Sequence, residues 1–155
     1  MGLMANDKCL EELRREGYIA EVCERRLNSF ITKDLFGCAD VIGHWPDCDR
    51  RDRLVNSCGP DVQPHIDKFL KGWKQEIIRK NPETGLSEIR YKDYPPNPYL
   101  PTLLLKYEFF LYSFILRKDR KKDGSMAKDS HYICRKWQAL LSPQGSISFE
   151  RIENE

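Results

Sequence analysis

One aspartate stands inside an otherwise apolar stretch, Leu35-Phe36-Gly37-Cys38-Ala39-Asp40-Val41-Ile42-Gly43-His44-Trp45, and its setting invites chemistry. Burying an unpaired carboxylate costs on the order of several kcal/mol, so Asp40 needs a partner: a nearby backbone amide, an arginine such as Arg25, or a metal ion. Acids in such settings cluster at functional sites. A second set, Cys38, His44, Cys48, Cys58 and His65, holds the ligand types of tetrahedral zinc, but no C-x-x-C pair provides a local chelate, and zinc is not expected. Cys23, Cys38 and Cys58 read instead as small core residues on strands. A third feature is the run Arg117-Lys118-Asp119-Arg120-Lys121-Lys122, with five basic residues in six, close to Tyr112, Phe114 and Tyr132. Such charges displace counterions from phosphates and such rings stack on unpaired bases, although a solvated hairpin tip has the same composition. Arg25, Arg26 and Lys33 flank the Asp40 stretch, and Arg50, Arg51 and Arg53 precede the next strand, so a basic rim could surround Asp40.

The elements that must position these residues follow from pattern. Residues 6–16 place Cys9, Leu10 and Leu13 on one side of a short amphipathic helix, with Gly17 as its stop. Residues 18–26 carry the β-branched and aromatic density of a strand. Residues 35–45 read as a central strand covered on both faces. A third strand is predicted at 53–58, and a helix over 61–79, capped by Asp61, with Ile66, Phe69, Leu70, Trp73 and Ile77 at helical spacing. A turn and a short extended run fill 81–91, and the proline-rich 94–101 excludes a regular helix or central strand. The stretch 103–116 suits either helix or strand by pattern; a strand over 107–118 is favoured, paired across a charged loop with another at 131–141.

The bulk properties suit one domain of mixed α/β class. The chain has 155 residues, 40% hydrophobic and 32% charged, enough for one substantial core. The expected core is 6–80 with 102–142, joined by the proline-rich connection and followed by a flexible acidic tail from 143. Its net charge of +2 does not by itself imply nucleic acid. No apolar run reaches the roughly 20 residues a bilayer requires, and no apolar segment precedes the first charges, so a cytoplasmic protein with no membrane partner is expected. The six scattered cysteines then read as reduced thiols.

The order helix, three strands, helix, strands, with an acid on the second strand, resembles the core of the PD-(D/E)XK nuclease superfamily, which includes restriction endonucleases, Holliday-junction resolvases and phage-type VRR nucleases. The stretch EGYIAEVCERR…KDLFGCADVIGHW carries the resemblance, its G-x-x-D-V matching the family's strand with G-x-x-D-hydrophobic. The resemblance implies a restriction-endonuclease-like αβββαβ core with an added β-hairpin, DNA as partner, and Mg²⁺ held by carboxylates at strand ends to activate water and stabilise charge on the scissile phosphate. Asp40 matches the metal-ligand position. Glu12 or Glu16 on the first helix could fill a further ligand role, with Glu24 as a local alternative. One departure is clear: the third strand of active members presents an acid, one residue, then a lysine, whereas here it reads Leu54-Val55-Asn56-Ser57-Cys58. Asp52 just before that strand and Lys68 on the following helix are the substitutes available, since the lysine migrates within this superfamily.

Three readings stay open at this stage. The first is a nuclease-like DNA-binding protein with Mg²⁺-dependent phosphodiester hydrolysis. The second is an inactive nuclease fold that binds nucleic acid or protein. The third is an interaction protein that holds a protein partner with its proline-rich loop and basic hairpin. A homodimer or a larger assembly is compatible with each.

Overall fold

The computed structural model describes residues 2–26, 32–120, 124 and 126–153. The first helix, α1 (Gly2–Arg15), ends in paired backbone bonds, Tyr18 N to Leu13 O at 3.0 Å and Gly17 N to Arg14 O at 3.1 Å. This is the pattern of a Schellman stop, with Gly17 at the required positive φ of 104°. The chain then forms β1 (Ile19–Val22), the short pair β2 (Arg25–Arg26) and β3 (Thr32–Lys33), β4 (Val41–His44) and β5 (Arg53–Cys58). After α2 (Gln63–Lys71) come β6 (Trp73–Lys80), β7 (Ser87–Tyr94), α3 (Leu100–Leu103), β8 (Glu108–Arg120), β9 (Met126–Leu141) and β10 (Ile147–Ile152).

Six strands form one mixed sheet in the order β1-β4-β5-β8-β9-β10, while β2-β3 and β6-β7 are separate two-stranded pairs. Only β5 and β8 run parallel within the large sheet, and α2 lies in the connection between them, as a parallel pair requires. The chain is therefore of mixed α/β class. Alternation along the central strands sends side chains to two cores. Leu54, Phe109 and Leu111 meet Ile66 and Phe69 of α2 and Leu100 and Leu104 at α3. Val55, Phe110 and Tyr112 meet Cys9 and Leu13 of α1. The sheet is thus covered on both faces, by α1 on one and by α2 and α3 on the other.

Several expectations need correction. The apolar stretch 35–45 is a strand only from Val41; before it, Leu35 and Ala39 form a bridge closed by a tight turn through Phe36 and Gly37, both at positive φ (54° and 70°). The helix predicted over 61–79 stops at Lys71, because Gly72 takes φ 80°, and Val62 rather than Asp61 is its N-cap. Residues 73–80 form a strand instead, whose Ile77 and Trp73 fit period 2 as well as helical spacing. Pro101 falls in the first turn of α3, where its missing N–H costs nothing. The tail expected to be loose carries β10, which pairs with β9 from Ile147↔Leu141 to Ile152↔Lys136. Among the described residues, no helix is long and apolar enough to cross a membrane.

Candidate metal centre

Asp40 sits at the entrance of β4, held by its backbone to both neighbouring strands. Its N–H donates to Val55 O at 2.9 Å, and its carbonyl accepts the amides of Cys23 at 2.8 Å and Glu24 at 3.1 Å. These bonds bring Glu24, just past β1, beside the Asp40 side chain. The 35–39 turn then folds Asp34 back onto the same spot. Ligand oxygens of Glu24, Asp34 and Asp40 all lie within 4.8 Å of one another, the one such set of His, Cys, Asp or Glu among the described residues.

Around this triad is a cavity of about 220 Å³, lined by Asn6, Asn56, Ser57, His65 and Lys68 among others. Its polar groups are arranged by hydrogen bonds. Asn6 Nδ2 donates to Glu24 Oε2 at 2.6 Å, the Ser57 hydroxyl donates to Asn6 Oδ1 at 2.6 Å, and the Ser57 amide donates to Asp40 Oδ2 at 2.9 Å. Asn56 donates to Cys38 O at 3.1 Å, but its Oδ1 is buried without a hydrogen-bond partner. Such an orphan is costly in a folded protein and calls for an explanation.

Electrostatics follow from crowding and burial. Asp40 is 7% exposed, and burial, with the hydrogen-bonded Asp34 carboxyl beside it and Glu24 nearby, pushes its pKa up to about 8. His65 moves down, chiefly through burial and then through the positive charge of Lys68. At neutral pH it is therefore an uncharged proton acceptor.

Of the residues singled out from sequence, the structure brings together Asp40, Glu24, Lys68 and His65, and separates the other proposed ligands. Glu12 accepts from Lys136 at 2.7 Å and pairs with Arg15, in an ion-pair network on the α1 side of the sheet. Glu16 belongs to the same network, through Arg53 at 2.9 Å and Lys136 at 3.0 Å. Asp52 lies beyond the other end of β4, roughly 13 Å of strand away, where it caps Trp45 N at 3.0 Å and meets His44 Nδ1 at 2.8 Å. Of the zinc-type set, Cys38 and Cys58 are buried, Cys48 is exposed, and His65 lines the acidic cavity.

The basic residues are also dispersed. Arg25 and Lys33 face each other in the β2–β3 pair, Arg117 is opposite His131 on β9, and Lys118 and Arg120 lie on β8. Lys121 and Lys122 fall outside the described residues. Asp34 and Asn56 were not singled out as ligands from sequence. Gly37 was the available signal for Asp34, since a glycine in an apolar run three residues after it can mark a turn as well as a strand. Comparison with known proteins leaves the geometry to speak alone: no family model matches the chain, and no curated protein or solved structure does.

The donor set fits a hard divalent cation. Three carboxylates are oxygen ligands of the kind hard divalent cations prefer, and no thiol or imidazole belongs to the triad. A cation there would also offset the repulsion among the carboxylates, which adds to burial in raising the Asp40 pKa.

Proposed function

We propose that this protein is a nuclease-like DNA-binding domain that hydrolyses phosphodiesters with Mg²⁺. One observation carries the reading: Glu24, Asp34 and Asp40 converge in a cavity that is also lined by Lys68 and by Asn56, whose Oδ1 is unpartnered. A bound cation would be held by the three carboxylates, with Asn56 Oδ1 as a further donor, and it would supply charge on the phosphate and an acidified water. Lys68 brings an ammonium to the same opening, suited to orienting an anionic phosphate or a water. His65, uncharged at neutral pH, is placed to accept a proton.

The element order supports the same reading. Leaving aside the two small strand pairs and the single turn of α3, α1, β1, β4, β5, α2 and β8 follow one another as helix, three antiparallel strands, helix and a parallel strand, which resembles the αβββαβ core of the PD-(D/E)XK superfamily. Asp34 and Lys68 would then stand in for the acid and lysine that β5 lacks.

The second reading is an inactive nuclease fold that binds nucleic acid or protein. It is favoured by β5 itself, which presents Asn56-Ser57-Cys58 where an acid, one residue and a lysine would stand. Incubation of the protein with plasmid and branched DNA, in Mg²⁺ or Mn²⁺ and then in EDTA, separates the two. Cation-dependent cutting that disappears in Asp40→Asn is the expected result. Binding without cutting in either cation would establish the inactive fold, and absence of both at low salt would end the nucleic-acid reading.

A further inference from the structure

The β6–β7 hairpin stands apart from the large sheet, and its two faces differ in charge. In an antiparallel pair, residues directly opposite share a face and alternate along the strands. The register Trp73↔Tyr94, Gln75↔Lys92, Ile77↔Arg90 and Arg79↔Glu88 therefore defines one face, and Lys74↔Asp93, Glu76↔Tyr91, Ile78↔Ile89 and Lys80↔Ser87 the other. Side-chain contacts agree with this division. Tyr94 donates its hydroxyl to Gln75 at 3.0 Å, Lys92 lies 5.1 Å from the Tyr94 ring, and Lys74 pairs with Asp93 at 3.9 Å.

The first face carries Arg79, Arg90 and Lys92 against Glu88 alone, whereas the second balances Lys74 and Lys80 with Glu76 and Asp93. The cationic face also leads to the candidate metal centre. Trp73 and Tyr94 stack at its base with centroids 4.3 Å apart, and the Lys68 ammonium lies 5.3 Å from the Trp73 ring. Lys68 is itself a wall of the acidic cavity. Lys68, Lys92, Arg90 and Arg79 thus form a row from the cavity outward, spanning roughly 20 Å of strand. The opposite face carries the exposed cross-strand pair Ile78↔Ile89.

An isolated two-stranded hairpin is marginal in water, so this arm needs a surface to lie on. A row of cations opposed by one acid is complementary to a polyanion. We infer that the Arg79, Arg90 and Lys92 face of the hairpin is a docking arm for the sugar-phosphate backbone of DNA, leading the strand past Lys68 toward the carboxylate triad. The inference rests on the nuclease-like reading for its substrate class, but it concerns binding rather than cutting.

The test is fluorescence anisotropy of a labelled duplex in EDTA over a range of salt, with two variants. Arg79→Gln/Arg90→Gln/Lys92→Gln is expected to weaken binding at least about tenfold at low salt and to flatten the slope of log K against log salt by about 2 to 3, since each lost phosphate contact on duplex contributes about 0.9. Lys74→Gln/Lys80→Gln, on the other face of the same arm, is expected to leave affinity and slope within about twofold of wild type, and it controls for folding of the hairpin. Equal loss in both variants, no loss in either, or no binding by wild type overturns the inference. A parallel cutting assay with Mn²⁺ separates the two proposals. Wild type that cuts while the triple variant binds undiminished removes the arm and keeps the nuclease. Binding lost in the triple variant, with no cutting by wild type, keeps the arm and removes the nuclease.

Discussion

The backbone amide of Ser57 donates to Asp40 Oδ2 at 2.9 Å, and this bond favours the charged form of a carboxylate otherwise pressed toward protonation. Burial and the neighbouring Asp34 and Glu24 outweigh it. Without a cation the triad holds a proton that the unfolded chain would release.

This has a definite sign. The folded pKa of Asp40, about 8, lies above the unfolded value of about 4, so the folded state binds more protons between these limits. Stability from this group is complete at low pH and is lost as pH rises through about 8. In EDTA, the free energy of urea unfolding is expected to fall from pH 5 to pH 8.5. Asp40→Asn should flatten that fall and exceed wild type by about 1–3 kcal/mol at the alkaline end, because it removes the buried charge. Added Mn²⁺ should stabilise wild type more at pH 8.5 than at pH 5, since ligation requires the deprotonated acid. A variant with the same slope as wild type would show that Asp40 is not the group responsible.

Arg53 is a second buried charge, 8% exposed, and it is fully engaged. It bonds to Glu16 at 2.9 Å, to Glu108 at 2.9 Å and to the Tyr112 hydroxyl at 2.9 Å, with its guanidinium 3.9 Å from the Phe110 ring. Removing one partner from such a network strands the others. Arg53→Met is expected to destabilise by about 3–5 kcal/mol in urea unfolding, and Glu108→Gln by less, because Glu16 remains.

Gly72 permits α2 and the hairpin to meet. A Cβ there would lie 2.1 Å from Tyr94 O, at a φ of 80° that other residues avoid. Since the obstacle is backbone, Gly72→Ala is expected to cost more than about 2 kcal/mol. Limited proteolysis should show faster cleavage within residues 73–94 than in wild type.

Thiol chemistry offers a check on the cysteines. Burial first, then neighbouring acids, pushes Cys23 and Cys38 up to about 12, and burial does the same for Cys58 and Cys134. Cys9 rises further, again through burial. Cys48 is the exposed thiol. In native protein, Ellman's reagent should titrate one thiol of six rapidly, and the remainder only on unfolding. Absence of that rapidly reacting equivalent in Cys48→Ser would confirm the assignment.

The contrast between Asp40 and Asp34 shows what pattern alone can convey. Asp40 is conspicuous because a lone acid in an apolar run is visible without knowing where the chain turns. Asp34 is six residues earlier, and along the straight strand that the apolar residues suggest it would lie roughly 20 Å away. The turn at Phe36 and Gly37 reverses that distance, and apolar composition does not distinguish a buried turn from a buried strand. Residues 53–58 were legible for the opposite reason: strand β5 is straight, central and bounded by Gly59 and Pro60. Helical spacing of Ile66, Phe69, Trp73 and Ile77 was accurate up to Lys71 and misleading beyond it, because one glycine outweighs periodicity when the backbone must turn. Glu12 has helical neighbours that suit a ligand, yet its partner Lys136 is 124 residues away in sequence, a pairing no local pattern exposes.

The close approach of Gly72 to Tyr94 also makes the hairpin an insertion whose entrance and exit coincide. Its 73–94 segment leaves the body and returns at nearly the same point, so its length places no demand on the path of the remaining chain. A short loop between α2 and the proline-rich segment could replace it and keep both cores. The reach proposed for the hairpin and the chemistry proposed for the carboxylates are in this sense carried by separable parts of the fold, free to change in length and in reactivity independently.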